Sequence, residues 1–264
     1  MPDPEAPRAP GGVRVEVDGR VAVVTIDRPE ARNAIGLATA DALDAALDQV
    51  LAADAGVLVL RGGGDRAFVS GGDLKELRAI RTHEDAAVMA RRVRGLLDRI
   101  AAFPVPVVAA LNGHAFGGGA EVAVAADIRV AADDVKIGFN QVTLGIMPAW
   151  GGAERLAQLI GRGRAILAIT TGQLHDAASA ERLGLVDLVV PRAEFDDAWR
   201  RLARELASTA PGTTQAVKGV IDAAFPTCRP DLAPRATEEF ARLWAADAHW
   251  AAVDALDAQR SARR

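Results

Sequence analysis

The chain has 264 residues, half of them apolar and a quarter charged, with a net charge of −4, 25 glycines, one cysteine and no tyrosine. That balance belongs to a soluble globular chain of one large domain, or one domain with an appendage, and excludes wholesale disorder. The lone Cys228 excludes an intrachain disulfide and a cysteine-based zinc site, the missing tyrosine disfavours Tyr-Lys dehydrogenases, and the acidic balance gives no reason to bind nucleic acid.

Residues 1–12 are proline-rich and carry both signs of charge, without the apolar run of a signal peptide; they read as a disordered leader. Val13 to Val17, Asp18-Gly19 and Val21 to Ile26 read as a β-hairpin, because valines alternate on either side of a turn dipeptide. Thr39 to Ala53 is helical, with Leu43, Leu47, Val50 and Leu51 on one face. Val57 to Leu60 is a buried strand, and Asp73 caps a short helix through Ile80. Glu84 to Phe103 is a long helix with a basic outer face of Arg91, Arg92, Arg94 and Arg99, read as a solvated surface or a subunit contact. Val105 to Leu111 is a strand; as the longest apolar run it falls far short of the roughly 20 residues that span a bilayer, so no membrane contact is expected. The default location is the cytoplasm. An apolar helix follows to Ala126, then a strand from Ile128 to Ala131 and a weaker one near Val135 to Phe139. Helices at 151–160, 163–171 and 176–183 and a strand from Leu185 to Val190 lead to amphipathic helices at 193–209, 213–224 and 235–258.

Two glycine loops carry the chemical signal: Phe68-Val69-Ser70-Gly71-Gly72-Asp73 and Phe116-Gly117-Gly118-Gly119-Ala120-Glu121, each before a helix. Glycine lets a ligand approach the backbone amides, and a helix N-terminus has N–H groups to spare. Side by side, two such loops aim two donors at one oxygen, which is an oxyanion hole; alone, each is also an ordinary tight turn. Neither fits a P-loop or a dinucleotide-binding fingerprint. Glu121 opens a helix that continues Val122, Ala123, Val124, Ala125 and Ala126. It is either desolvated, with a raised pKa suited to proton transfer near neutrality, or a first-turn glutamate facing solvent. The histidines and carboxylates show no metal-ligand spacing. Gly161-Arg162-Gly163-Arg164 reads as a helix stop and restart, and Trp244 and Trp250 as packing residues.

The string Asn112-Gly113-x-Ala115-Phe116-Gly117-Gly118-Gly119-x-Glu121 resembles the crotonase (enoyl-CoA hydratase/isomerase) family. So do Arg28-Pro29-x-Ala31-x-Asn33-Ala34, Phe68-x-Ser70-Gly71-x-Asp73-Leu74-Lys75, and Leu144-Gly145-Ile146-x-Pro148-x-x-Gly151-Gly152-x-x-Arg155-Leu156. The resemblance implies an α/β fold: a spiral of ββα units over residues 13–192, then a helical trimerisation region over 193–264. It implies an acyl-CoA thioester substrate, no cofactor beyond that coenzyme A, and a homotrimer or dimer of trimers. Matched residue by residue, Gly72 and Gly118 form the oxyanion hole, while Gly72, Asp73, Leu74, Lys75, Gly118, Ala149 and Trp150 bind the substrate and its CoA.

The catalytic residues so implied are Glu121 and Gln141, and Gln141 is a departure. Family hydratases carry a second glutamate there, four residues before the glycine matching Gly145. An amide cannot titrate, so Gln141 either orients water or substrate, or marks a changed activity. Hydratases also favour glycine at Ala149 and a small residue at Trp150, which here narrows the pocket or simply packs. The leading expectation is a hydratase-type lyase of fatty acid metabolism acting on a 2-enoyl-CoA. Decarboxylation of a malonyl-type (methylmalonyl or ethylmalonyl) thioester stands close behind, because it needs no base to break the C–C bond. Isomerisation is disfavoured, since many family isomerases put their base at the second position. A catalytically weak CoA-binding protein is the reading from a different class.

Overall fold

The hairpin forms where valines alternate: β1 (Val13–Asp18) pairs antiparallel with β2 (Val21–Ile26), Asp18 opposite Val21, across a two-residue Gly19-Arg20 loop. The structure is a computed structural model that describes residues 11–210, 212–226 and 229–262. Cys228 and the leader as far as Pro10 lie outside the described residues.

The helix α1 (Leu37–Ala52) follows, and it buries Leu43, Leu47 and Val50 while Leu51, expected on the same face, is exposed. The strands β3 (Val57–Gly62), apolar from Val57 to Leu60, and β5 (Val107–Leu111), apolar throughout, are buried because their sheet is covered on both faces. With β7 (Ile128–Ala132) and β10 (Leu188–Val190), they complete a six-stranded sheet ordered β1-β2-β3-β5-β7-β10, parallel after its first pair. A second sheet, ordered β4-β6-β8-β9, is made of very short strands: β4 (Ala67–Val69), β6 (His114–Phe116), β8 (Lys136–Gly138) and β9 (His175–Asp176). Among these, only β8 was foreshadowed by periodicity.

Helices pack over these sheets. α2 (Leu74–Leu77) is capped by Asp73 and is shorter than the run to Ile80 suggests. In α3 (His83–Ala101) the basic face is not wholly solvated. Arg91 and Arg92 are exposed, but Arg94 is 3% exposed and pairs with Glu154 at 2.8 Å, so an internal ion pair overrides the pattern. After α4 (Gly118–Ala125) come α5 (Gly152–Ile160) and α6 (Arg162–Thr171), split at Gly161, which has φ +83° and is the stop-and-restart seen in the glycine pattern. Then come α7 (Ala177–Leu183), α8 (Phe195–Ser208) and α9 (Thr213–Ala224). The helix expected over 235–258 is two helices, α10 (Ala233–Trp244) and α11 (Asp247–Ser261). No proline or glycine marks that break. Extended backbone at Ala246 lets α10 lie on α3 while α11 turns onto the 3-10 turn Gln141–Leu144.

Candidate active site

Because β4 and β6 are parallel neighbours, the loops that leave them run side by side. A Cβ added to Gly71, whose φ is +102°, would lie 3.3 Å from the Gly118 amide nitrogen. The Gly72 and Gly118 amides have no hydrogen-bond acceptor among the described residues. Two unspent N–H donors therefore stand next to one another, the second at the N-terminus of α4.

Glu121 stands in the first turn of α4, all eight residues of which are buried, and is itself 2% exposed. The solvent-facing alternative is thus excluded. Its Oε2 accepts from the Trp150 amide at 2.8 Å and the Gly152 amide at 3.0 Å, and its Oε1 accepts from Gln141 Nε2 at 3.0 Å. Burial dominates its titration and pushes the carboxyl from 4.5 up to about 7, with Glu154 adding to the rise and the three donors opposing it. Gly152 leaves no room for any other residue: a Cβ there would be 2.4 Å from Glu121 Cγ.

These groups open on one cavity of about 610 Å³. Of the predicted residues, Gly72, Leu74, Gly118, Glu121, Gln141, Ala149 and Trp150 line it. Asp73 and Lys75 do not. The Asp73 carboxylate accepts from the Lys75 amide as the cap of α2 and pairs with Arg28 at 2.8 Å, and the Lys75 side chain points into solvent. The Gln141 Oε1 is buried and has no partner among the described residues.

The Trp150 indole lies against the oxyanion loops. A Cβ on Gly118 would meet its Cζ3 at 2.2 Å, and one on Gly72 its Cη2 at 3.8 Å. Buried Arg155 fixes the Trp150 backbone by donating to its carbonyl at 3.0 Å, and is itself paired with Asp98. Trp150 therefore holds the carboxyl with its amide and bounds the cavity with its ring.

Sequence reasoning missed several wall residues. Met89 from α3, Phe240 and Trp244 from α10, and Leu256 and Arg260 from α11 all reach the cavity. Trp244, read as a packing residue, does both. His114 lines the cavity too, stacked on Phe116, with its Nδ1 accepting from the Lys136 amide and burial lowering its pKa. No local signal marks Met89, Phe240, Trp244, Leu256 or Arg260, which the tertiary fold brings together, whereas His114 sits inside the Asn112–Glu121 glycine string. Among the described residues no cluster of His, Cys, Asp and Glu could hold a metal ion, and no helix is long and apolar enough to cross a membrane.

The sequence profile of the family described as Enoyl-CoA hydratase/isomerase matches residues 16–240. The chain is 37% identical over 214 residues to the short-chain-enoyl-CoA hydratase of Clostridium acetobutylicum, covering 80% of each chain. It is 38% identical over 204 residues to a probable enoyl-CoA hydratase of Bacillus subtilis, covering 76% of this chain and 78% of that one. Among solved structures, a carnitinyl-CoA hydratase from Mycobacterium avium superposes with a TM-score of 0.80 at 30% identity, over 95% of this chain and 97% of the other. An enoyl-CoA hydratase from Bacillus anthracis superposes with a TM-score of 0.78 at 32% identity, over 88% and 90%.

Proposed function

This chain belongs to the enoyl-CoA hydratase/isomerase family, has its crotonase fold, and is an enzyme of that family; we propose that it is an acyl-CoA lyase that adds water to, or removes it from, a 2-enoyl-CoA. The observation that carries this reading is the buried Glu121 carboxyl, poised near neutrality and held by Trp150, Gly152 and Gln141 beside two free loop amides.

In the hydration direction, the Gly72 and Gly118 N–H groups receive the thioester oxygen. The Glu121 carboxylate takes a proton from water as the water oxygen bonds to C3. The C2=C3 electron pair moves through C2 onto the thioester oxygen, giving an enolate whose charge the two amides stabilise more than the ground state. Each such donor is worth about 3 kcal/mol, on the order of 100-fold in rate. The Glu121 carboxylic acid then returns its proton to C2, so one H and one OH have been added across the double bond. A pKa of about 7 suits one group to both transfers. Gln141 orients the carboxyl through Nε2, and its unpartnered Oε1 accepts a hydrogen from the attacking water.

The substrate arrives as a CoA thioester, along Gly72 and Leu74 and past Ala149 and Trp150, and no further cofactor is needed. Residues 193–264 form the oligomerisation region of a homotrimer or dimer of trimers. Exposed Val217, Val220, Ile221 and Phe225 in and just after α9 give that assembly an apolar face. The reaction belongs to fatty acid metabolism in the cytoplasm.

One observation favours a second reading, decarboxylation of a malonyl-type thioester: where hydratases have a second carboxylate, Gln141 stands. There Glu121 in its acid form only has to protonate the enolate left by CO2. Incubating the protein with crotonyl-CoA, methylmalonyl-CoA and ethylmalonyl-CoA and weighing the products separates the two. Water addition to crotonyl-CoA is the expected result; CO2 loss alone would replace the first reading with the second.

A further inference from the structure

The 3-10 turn Gln141–Leu144 packs on α6 and is tied to α4 and α11 by two side-chain hydrogen bonds. At its start, Gln141 Nε2 donates to Glu121; at its end, the Leu144 carbonyl accepts from His249 Nδ1 at 2.6 Å. His249 lies in the first turn of α11, more than 100 residues further along the chain, and is 0% exposed. Its ring packs against Trp244, with centroids 4.5 Å apart, and Trp250, at 4.6 Å, in a cluster in which the two indoles also touch each other edge-on at 5.5 Å. The carbonyl can only accept, so Nδ1 carries the proton, and Nε2 is buried without a partner among the described residues. Burial lowers the ring's pKa, with the Leu144 hydrogen bond opposing and the nearby Arg81 charge adding to the fall, which favours the uncharged imidazole. A single 3-10 turn has poor internal hydrogen bonds and takes its position from what it is tied to.

We propose that His249 is a positioning residue: by holding the Leu144 carbonyl it sets the turn, and through the turn it places the Gln141 amide on Glu121. This rests on the reading of Glu121 as the acid–base and Gln141 as the amide that orients it. The two amide substitutions separate positioning from packing. H249N puts an amide nitrogen where Nδ1 stands and can still donate to Leu144. H249Q puts it on the Nε2 side, away from Leu144, and H249F keeps the aromatic stack with no donor.

The test uses the full chain, with crotonyl-CoA turnover and melting temperature measured for H249N, H249Q, H249F, Q141A and the double variants. H249Q and H249F are expected to lose about tenfold in kcat with KM nearly unchanged, the scale of one hydrogen bond, while H249N retains most of the rate. In a Q141A background neither H249Q nor H249F should cost anything further. An equal loss in both backgrounds, or H249N as poor as H249F, would overturn the proposal. A second arm needs no turnover: 13C-NMR titration of the Glu121 carboxyl, assigned by its disappearance in E121Q. Losing the Gln141 donor favours the neutral carboxyl, so its apparent pKa should rise in H249Q and in Q141A and no further in the double variant. An unchanged titration in H249Q overturns the positioning role even if the protein proves not to hydrate crotonyl-CoA. Should H249F not fold, H249Q against H249N carries both comparisons.

Discussion

Replacing Glu121 with glutamine alters a single functional atom, yet it should change how the stability of the whole protein depends on pH. In the folded chain burial raises the carboxyl from 4.5 to about 7. At roughly 1.4 kcal/mol per pH unit, that displacement is worth about 3 kcal/mol. The folded state therefore holds a proton that the unfolded state has released between pH 4.5 and about 7, so stability is lost as pH rises through that window. Below the window both states are protonated and the penalty vanishes. Glutamine carries no charge at any pH. Its carbonyl can accept from Trp150 and Gly152, and its amide can face the partnerless Oε1 of a flipped Gln141. The stability difference between E121Q and wild type should thus grow by about 3 kcal/mol in favour of E121Q from pH 4.5 to pH 8. For a chain of this size that is on the order of 6–12 °C in melting temperature. Thermal or urea unfolding of both proteins across the range measures it. A difference that stays constant with pH would refute the argument that the buried carboxyl titrates near neutrality.

Three other substitutions probe the same site. G152A drives a methyl to 2.4 Å from Glu121 Cγ and 2.9 Å from the Phe139 ring; it should cost about 1–3 kcal/mol in unfolding and about 100-fold in kcat, and near-wild-type turnover would contradict the carboxyl's assigned geometry. W150A removes the ring from Gly118 and Gly72; the ratio of kcat/KM for a long-chain enoyl-CoA over crotonyl-CoA should rise about tenfold, and an unchanged profile would mean that Trp150 does not bound the acyl space. Q141E restores a second carboxylate 3.0 Å from the first; crotonyl-CoA hydration should change by less than about tenfold, whereas a gain of about 100-fold or more would show that the wild type is not primarily a hydratase.

Where residues bury in a regular pattern, sequence was enough: the β1–β2 hairpin, the apolar runs Val57–Leu60 of β3 and Val107–Leu111 of β5, and the Gly161 break between α5 and α6 were all legible. The second sheet was not, because three-residue strands such as β4 and β6 offer no room for alternation and their glycine surroundings look like loop. The split of α10 from α11 has no local breaker; it follows from packing on α3 and on the Gln141–Leu144 turn. Residues with chemistry fared better, since Gly72, Gly118, Glu121 and Trp150 sit in glycine-marked strings, Gln141 is placed by its offset of four from Gly145, and all meet at one cavity. Asp73 and Lys75 share such a string and still miss the wall, because a cap and the Arg28 ion pair claim the carboxylate. The long-range ties to Glu121, Gln141 and Leu144, and the wall contributed by Trp244 and Leu256, depend on elements far apart in sequence, which no single window contains.

The most direct measurement is crotonyl-CoA turnover in 18O-labelled water from pH 5.5 to 9, followed by mass spectrometry, with E121Q alongside. The expected result is one 18O in the hydroxyl of 3-hydroxybutyryl-CoA, a rate that rises with pH through about 7 as Glu121 ionises, and no product from E121Q. It is contradicted if crotonyl-CoA gains no water while a malonyl-type thioester loses CO2 at a rate that falls over the same range.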